Sequence, residues 1–548
     1  MLSAGNDRDR GSVRRAAWAV AALALLFRLP FAARRLWDHD SVQFALGVER
    51  FDLAAHHPHP PGYPLYIGLL KALAWVGIEA LDGMVALSVL AGALGAGLMV
   101  LLAARLARSP AAALFAGLLY ATNPLLWFYG ELPLVYAVEG GLAVAIAYGA
   151  VQSAESRRAL FLTCALLALA GGLRQSTMVL LAPLVAYGAF RGWRAGRLSW
   201  KAIGGGAALA AALILAWLLP LWALAGGPAA YRRIAGEHFA TLLPQTSVLY
   251  GAGWPALAHN LEVLLKWALQ GVVPGAVALV ALWAATPRAV AGGLRLLARR
   301  LDWLLAWALP PLAFFALFHV TKAGYTLVHL PALLVALALA AAPALAASRA
   351  RAFAGTAAAA AVGLALFLFG SDRRPDQPRA WALVRHELNR GAIDRFEREL
   401  DRVLEVARGY PPETTVLASV ELPGRGAAGA EGFLYPWHRH LQWYLPEYQV
   451  VLIVPADDFA LTARGHEPFQ KALAQLALPP ETRRLLFVLS EPPRNRLRLG
   501  PGFVAMGGDS FWIAEVPFRG RLQVGPFVLS AGERRARPHP PARRGSGA

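Results

Sequence analysis

Residues 37–66, WDHDSVQFALGVERFDLAAHHPHPPGYPLY, determine how the rest of the chain is interpreted. This stretch follows the first strongly apolar segment and holds three aspartates, one glutamate and four histidines. Ionisable groups beside an apolar segment need a solvent or a partner, because removing their charge from water costs free energy. The stretch therefore predicts a functional surface, and the sequence around it shows which solvent that surface faces.

The composition is that of a polytopic membrane protein. Hydrophobic residues make up 57% of the chain, charged residues only 16%, and the mean hydropathy is +0.45. The formal net charge of +19 lies in short blocks between apolar runs and accompanies no nucleic-acid motif, so we expect no nucleic acid partner. Cys164 is the single cysteine, which excludes a disulfide framework.

Eleven apolar segments approach the length of a membrane span. They are 16–33, 83–104, 110–128, 132–152, 159–173, 177–190, 203–226, 262–286, 303–320, 327–346 and 352–370. We place a break within 171–176, since a charged, glycine-containing hexad is unfavourable in lipid. The first segment could instead belong to a cleaved signal peptide, but further spans follow it, which favours a retained anchor.

Positive charge alternates between the segments that connect these spans. The connections at 1–15, 105–109, 153–158, 191–201, 287–302 and 347–351 carry 18 Lys and Arg residues, whereas those at 122–131, 171–176 and 319–326 carry only Arg174 and Lys322. Positive residues favour the cytoplasmic side, so we predict a cytoplasmic N-terminus and an extracytoplasmic C-terminal region. The alanine- and arginine-rich composition favours a bacterial inner membrane.

The chain divides at residue 370 by composition. We predict a mainly α transmembrane domain at 1–370, whose first outward loop, 34–82, contains an interfacial or re-entrant helix at 62–80. Residues 371–530 predict a small α/β or α+β extracytoplasmic domain, and 531–548 a disordered basic tail. Within this domain we expect helices at 376–409, 432–444 and 466–477, and strands at 415–420, 449–454, 484–490, 503–505 and 511–516. Residues 437–440 (WHRH) could contact a metal or a sugar, but a solvated helix face is the favoured interpretation.

The first outward loop holds the residues best suited to chemistry. A short amphipathic helix is expected at 41–55, and Asp40 could simply be its N-cap. However, two acids one residue apart, Asp38 and Asp40, repel each other unless a cation or a substrate hydroxyl compensates. A divalent metal at these acids is one possibility. The proline-rich turn at 56–64 carries three imidazoles, which suit a metal or a phosphate, although the spacing of a metal site is missing.

These residues resemble the GT-C superfamily of integral-membrane glycosyltransferases. The resemblance rests on a first span, an outward loop that begins Asp-x-Asp, and the motif His59-Pro60-Pro61-Gly62-Tyr63-Pro64. It is strongest to the protein O-mannosyltransferase-like and lipid-A aminoarabinose transferase-like branches, and it covers roughly residues 15–345. It implies a GT-C-like fold of about 11 transmembrane helices and a polyprenyl-phosphate sugar donor. The acceptor would be a lipid, a glycan or a protein.

The resemblance also implies roles for individual residues. Asp40 is the first choice for the general base and Asp38 the second. His59, Arg174 and Lys322 would contact the donor phosphate. The remaining predicted members of the site are Glu131, Tyr136 and Glu139 in an acidic-aromatic second loop, with Glu131 on the same side as the other two, and His57, Tyr63 and Tyr325.

Structural interpretations of the same residues stay open. Glu131 could cap the following helix, Glu139 could pair with Arg174, and Arg174 or Lys322 could extend to the membrane interface. A secondary transporter or a lipid-linked-sugar flippase is the rival function, and a sensor is a third. Ionisable residues collect at the outer ends of the spans rather than at mid-membrane, which favours surface chemistry over transport. An acid as the base, with cations on the leaving group and no nucleotide-binding loop, predicts inversion at the anomeric carbon. No cofactor beyond a divalent metal is indicated.

Overall fold

The computed structural model describes most of the 548-residue chain. The described residues are 7–320, 322–370, 388–420, 437–456, 460–464, 475–489, 504–507, 512–524 and 527–532. They form two compact units, Met1–Arg34 with Pro60–Ile393 and Arg35–His59 with Asp394–Ala548. Most of the acid- and histidine-rich stretch that begins the first outward loop thus belongs, by its contacts, with the C-terminal residues.

The first unit is helical, and each predicted apolar segment coincides with a helix. The helices of this unit are α1 (Asp7–Arg28), α3 (Pro64–Trp75), α4 (Ala80–Ala107), α5 (Pro110–Ala121), α6 (Pro124–Glu131), α7 (Tyr136–Ser153), α8 (Arg157–Leu173), α9 (Gln175–Arg194), α10 (Trp200–Leu224), α11 (Pro228–Thr246), α12 (Gly253–Ala285), α13 (Pro287–Ala298), α14 (Leu301–Leu317), α15 (Leu330–Ala346) and α16 (Arg349–Phe369). Short 3-10 helices lie at Leu29–Phe31, Val248–Tyr250 and Ala323–Val328. The predicted interfacial helix is the short helix α3.

Several helices are long and apolar enough to cross a membrane. Among the described residues, α4, α10, α12 and α16 each qualify alone. The bent pairs α5–α6 and α13–α14, with angles of 49° and 66°, raise the number to six. The chain is therefore an integral membrane protein with a mainly helical membrane domain, and the count of eleven spans stays a prediction.

A buried arginine holds the bend between α5 and α6. Asn123 caps α6, its Oδ1 accepting from the Leu125 and Leu126 amides. Arg28 is fully buried, and its guanidinium donates to the Leu126 carbonyl at 2.9 Å and to the Ala121 carbonyl at 3.3 Å. The last carbonyl groups of a helix have no partner inside it, and Arg28 supplies a donor to that of Ala121, the last residue of α5.

The predicted break between the fifth and sixth apolar segments is confirmed. Helix α8 ends at Leu173, α9 begins at Gln175, and Arg174 between them is extended, with φ −154° and ψ 117°. A single extended residue reverses the helix direction without a long polar loop. The break thereby fixes Arg174 at the junction of two helices.

The second unit combines helices with two sheets. Its helices are α2 (His39–Glu49), most of α17 (Arg390–Arg408) and α18 (His438–Tyr444). Its strands are β1 (Thr415–Val420), β2 (Gln449–Ala456), β3 (Ala460–Arg464), β4 (Gln475–Leu478), β5 (Arg484–Leu489), β6 (Val504–Gly507), β7 (Trp512–Pro517), β8 (Arg521–Val524) and β9 (Phe527–Ala531). The larger sheet has the order β3-β2-β1-β5-β7-β6, and the smaller one β4-β9-β8.

The centre of the larger sheet is parallel. Leu417 of β1 aligns with Val450 of β2 and with Leu486 of β5, whereas β3, β6 and β7 pair antiparallel. The central strands are continuous apolar runs, as expected of strands that are covered on both faces. In β5, Leu485 and Phe487 face one core cluster because alternate residues share a face.

One predicted helix in this unit is wrong in part, and several other predictions lie partly outside the described residues. The predicted helix at 466–477 is wrong at its end, since residues 475–478 form β4, which pairs with β9 in parallel. The short run gave no clear period, and the sheet partner decided its conformation. Parts of the helices predicted at 376–409, 432–444 and 466–477 lie outside the described residues, as does nearly all of the basic tail predicted at 531–548.

Candidate functional site

The two acids that begin the outward loop have different structural environments. Asp38 is the N-cap of α2, since its Oδ1 accepts from the Ser41 amide at 3.0 Å. The Asp38 amide donates to Ser41 Oγ at 3.1 Å, which completes a capping box. The expectation that Asp40 caps the helix is therefore wrong, and the helix ends at Glu49 instead of residue 55.

Asp40 lies in the first turn of α2 beside two imidazoles. Its Oδ1 is 3.1 Å from His39 Nε2 and 3.8 Å from His59 Nδ1. The side chains of Asp40 and His59 are 14% and 13% exposed, so both retain access to solvent. A carboxylate in the first turn of a helix is favourably placed in the field of the helix dipole. We name Asp40, His39 and His59 the acid–histidine group.

The histidine-rich turn is held against α2 by close packing. A Cβ on Gly47 would lie 2.9 Å from Pro58 Cδ, so only glycine allows the turn to approach the helix this closely. The Asp52 and His57 backbones exchange two hydrogen bonds, at 2.7 and 2.8 Å, which close the turn. His59 is thereby directed to Asp40, and its ring lies 5.6 Å from that of Phe44.

His57 faces a different partner. Its Nε2 accepts from Arg439 Nη1 at 3.1 Å, and Arg439 Nη2 donates to the Ala55 carbonyl at 3.0 Å. Burial and the Arg439 guanidinium lower the pKa of His57 to about 4, so the imidazole is neutral at pH 7. The structure brings His59 to Asp40 and His57 to Arg439.

Residues 437–440 support the outward loop from α18. All four are buried, so the interpretation as a solvated helix face is wrong. His440 Nε2 donates to the Leu36 carbonyl at 3.0 Å, and burial lowers its pKa to about 3. Tyr444 OH accepts from the Leu36 amide at 3.0 Å. Sequence reasoning missed these supports because a helix of only seven residues, HRHLQWY, is too short for its pattern to distinguish burial from exposure.

A second group of predicted residues surrounds Arg174. Its guanidinium lies 4.9 Å from the centre of the Tyr136 ring and 4.7 Å from that of Tyr325, both within cation–π range. Glu139 accepts from Arg174 Nη1 and from Thr177 Oγ1. The side chain of Glu139 is 2% exposed and that of Arg174 11%. The predicted Glu139–Arg174 ion pair is therefore present, and Thr177 is a member that the sequence did not reveal.

This arginine–tyrosine group can hold an anion at a fixed position. A guanidinium presents five N–H donors in one plane, and the pair with Glu139 uses Nη1. The two rings flank the guanidinium, and Glu139 balances its charge. Arginine in such a setting is well suited to planar contacts with phosphate oxygens.

The proline motif is tied to the same unit. Gln175 Nε2 and Tyr231 OH each lie 3.2 Å from the Pro61 carbonyl oxygen and donate to it. Tyr63, which directly precedes α3, is buried, and its backbone has a left-handed conformation with φ 48°. Gln175 and Tyr231 are further contributors that no motif in the sequence indicated.

The turn before α15 supplies the second tyrosine. Lys322 is buried and precedes the 3-10 helix Ala323–Val328, and its carbonyl accepts from the Tyr325 amide at 3.1 Å. Gly324 is required here, since a Cβ would meet the Tyr136 ring at 2.5 Å. Lys322 thus lies three residues from a ring that contacts Arg174.

Glu131 does not join either group. It is the last residue of α6, and residues 132–135 separate it from α7, so the expected alignment with Tyr136 and Glu139 is wrong. It is fully buried and interacts electrostatically with Arg28. Val135 is the N-cap of α7, so the capping interpretation of Glu131 is also wrong.

No group of three or more histidine, cysteine, aspartate or glutamate side chains suited to a metal ion occurs among the described residues. The metal predicted at Asp38 and Asp40 stays a prediction.

Comparisons with known proteins agree with this architecture. The N-terminal domain of the protein O-mannosyl-transferase TMEM260 matches residues 52–197. ArnT from Cupriavidus metallidurans bound to undecaprenyl phosphate superimposes with a TM-score of 0.53 at 15% identity, covering 91% of this chain and 96% of ArnT. Apo ArnT from the same organism gives a TM-score of 0.54 at 14% identity, with the same coverage. A search of curated proteins finds no match.

The matched region contains His59, the proline motif, Glu131, Glu139 and Arg174, on which much of the sequence resemblance rests. The likeness to ArnT extends over nearly the whole of both chains. The resemblance drawn from the sequence is thereby confirmed: the chain has an ArnT-like fold, and its residues 52–197 match a protein O-mannosyl-transferase domain.

Proposed function

We propose that this membrane glycosyltransferase transfers a sugar from a polyprenyl-phosphate donor to an acceptor hydroxyl, with inversion at the anomeric carbon. The ArnT-like fold supports this donor class, because one ArnT structure holds undecaprenyl phosphate. The match to a protein O-mannosyl-transferase domain supports hydroxyl glycosylation. The acceptor is a hydroxyl of a lipid, a glycan or a protein.

Asp40 is the proposed general base. The observation that supports this role is the different environment of the two acids. Asp38 caps α2, whereas Asp40 lies beside His39 and His59 and retains access to solvent. The carboxylate accepts the hydroxyl proton as the acceptor oxygen attacks the anomeric carbon. The bond from that carbon to the phosphate oxygen breaks, and polyprenyl phosphate leaves with the electron pair.

Arg174, Lys322 and His59 are the proposed partners of the departing phosphate. Charge develops on the phosphate oxygens as the bond breaks, and fixed cations stabilise that charge without reorganisation. The rings of Tyr136 and Tyr325 hold the Arg174 guanidinium in place before the donor arrives. Glu139 fixes one edge of that guanidinium.

Inversion is expected from a single displacement. A retaining reaction requires a second carboxylate that attacks the sugar. Asp38 is the nearest acid in sequence, but it is buried and engaged as the helix cap. We also propose a bacterial inner-membrane location, with a cytoplasmic N-terminus and the loop of Asp40 on the extracytoplasmic face.

A transfer assay tests the proposal. Purified protein in vesicles is incubated with radiolabelled polyprenyl-phosphate sugars and candidate acceptors, and the product linkage is read by NMR. We expect transfer to a hydroxyl with the opposite anomeric configuration. Sugar-lipid crossing the vesicle without transfer would instead establish a flippase, and a retained configuration would contradict the single displacement.

A further inference from the structure

A groove on the first unit lies far along the helices from Arg174, at their opposite ends. Helices α1, α5 and α16 begin here and α4 ends here, whereas Arg174 lies at the end of α8. The groove has a volume of about 560 Å³, within the range of small-ligand pockets. No residue of the proposed reaction lines it.

The groove is apolar along its length and polar at one end. Small side chains on all three starting helices, such as Ala16, Ala113 and Ala357, leave the space open. Phe353 borders it with 78% of its surface exposed, so its ring meets the surrounding lipid. Ser12 and Arg349 lie at its polar end, near the starts of α1 and α16.

The charge around this end is mainly positive. Arg105, in the last turn of α4, pairs with Glu155. The other exposed arginines at the ends of these four helices are Arg14 and Arg15 of α1, Arg108 after α4, and Arg349 and Arg351 of α16. Basic residues near a membrane surface attract anionic lipid headgroups. Among these five, Arg349 alone lines the groove itself.

We propose that this groove binds one anionic glycerophospholipid, whose acyl chain packs along the alanine-lined walls and whose phosphate contacts Arg349. An acyl chain fits a narrow apolar groove that opens to the bilayer, and the arginine at the mouth selects a headgroup with net negative charge. The lipid would come from the leaflet at the start of α1, which the charge pattern predicts to be cytoplasmic. This site is independent of the proposed glycosyl transfer.

Native mass spectrometry of the detergent-purified full chain tests the proposal, with phosphatidylglycerol and phosphatidylcholine as probes. We expect one phosphatidylglycerol to stay bound where phosphatidylcholine does not. Arg349→Ala should weaken phosphatidylglycerol binding about fivefold, the effect of one basic residue at a membrane surface. Arg351→Ala is the matched control, since Arg351 is exposed on the same turn but does not line the groove.

A second pair of variants tests the acyl-chain contact. Ala357→Leu fills the groove and should lower binding at least as much, whereas Ala354→Leu changes an exposed position outside the lining and should not. Equal losses within either pair would overturn the proposal, because they would indicate general surface attraction. Displacement of phosphatidylglycerol by equimolar undecaprenyl phosphate would also overturn it. Only variants whose melting temperature and size-exclusion elution volume equal those of the wild-type protein are compared.

Discussion

At the scale of single residues, Asp38 has a structural role as a helix cap, whereas Asp40 is the proposed general base. Asp38 is 1% exposed and satisfies the Ser41 amide, whereas Asp40 lies beside two imidazoles and retains solvent access. The sequence could identify the acid pair, but it could not say which member caps the helix. Either residue could begin a helix here, and only the backbone conformation distinguishes them.

Replacement of Asp38 tests this separation. Asp38→Ser keeps an N-cap acceptor and should retain transfer activity, whereas Asp38→Ala should lower the free energy of unfolding by about 1 kcal/mol. Thermal unfolding and transfer rates measured on the same preparations distinguish the two effects. Loss of transfer in a stable Asp38→Ser protein would indicate that Asp38, not Asp40, is the base.

His57 and His440 should make the second unit sensitive to acid. Their pKa values are lowered from 6.5 to about 4 and about 3, chiefly by burial. Above pH 6.5 both are neutral in the folded and unfolded states, and the stability is complete. As the pH falls from 6.5 towards 4, the unfolded state binds protons that the folded state does not. The free energy of unfolding should decrease by up to about 1.4 kcal/mol per pH unit for each imidazole.

Melting temperatures from pH 8 to pH 4 check this dependence. The His440→Asn variant should show a shallower decline than the wild-type protein, while His259→Asn, on α12, serves as the control. A decline of the same steepness in His440→Asn would show that His440 does not contribute.

At the scale of elements, breaks between helices position the predicted site. Arg174 lies in the one-residue break between α8 and α9, and Tyr325 lies in the 3-10 helix before α15. The sequence predicted both turns, since charged residues interrupt apolar runs there. It could not predict the contacts of Arg174 with Tyr136 and Tyr325, because these join segments far apart in the chain.

Gly324 offers a test of that arrangement. A Cβ at this position would lie 2.5 Å from the Tyr136 ring, so Gly324→Ala should displace the ring and cost about 1–3 kcal/mol of stability. The rate of sugar transfer should also fall, because the displaced Tyr136 ring would no longer orient the Arg174 guanidinium. Gly68→Ala in α3, where a Cβ meets nothing within 4 Å, should be neutral or slightly stabilising. Equal melting temperatures and equal transfer rates for the two variants would contradict this packing.

Local patterns failed where a partner element decided the outcome. Residues 475–478 pair with β9 and are a strand. Residues 438–440 are buried although they are polar. Glu131 was misplaced because residues 132–135, which the sequence assigns to the start of the segment 132–152, are not helical. Apolar run length located the helices of the first unit, since a long apolar segment can be recognised without knowing what it packs against.

At the scale of the whole molecule, the chain order does not match the division into units. Residues Arg35–His59 lie between α1 and α3 in sequence but belong with Asp394–Ala548. Arg439 and His440 of α18 hold this segment through His57, Ala55 and Leu36. Composition could predict a C-terminal domain, but it could not show that this domain supports a loop some 400 residues earlier in the sequence.

Arg439→Ala tests that support. The variant removes hydrogen bonds to His57 and to the Ala55 carbonyl, so amides of residues 50–57 should exchange hydrogen faster. The rate of sugar transfer should fall as these amides lose their protection from hydrogen exchange. Arg402→Ala, an exposed change on α17, should alter neither. Unchanged exchange in Arg439→Ala would mean that the loop holds its own conformation.

The central claim is that Asp40 removes the acceptor proton. It is tested most directly by measuring the transfer rate and the donor Kd of Asp40→Asn, with Glu49→Gln on the same helix as the control. We predict a rate lower by about 10²–10⁴ with donor affinity nearly unchanged, since a general base acts in the transition state. Undiminished transfer by Asp40→Asn would contradict the account.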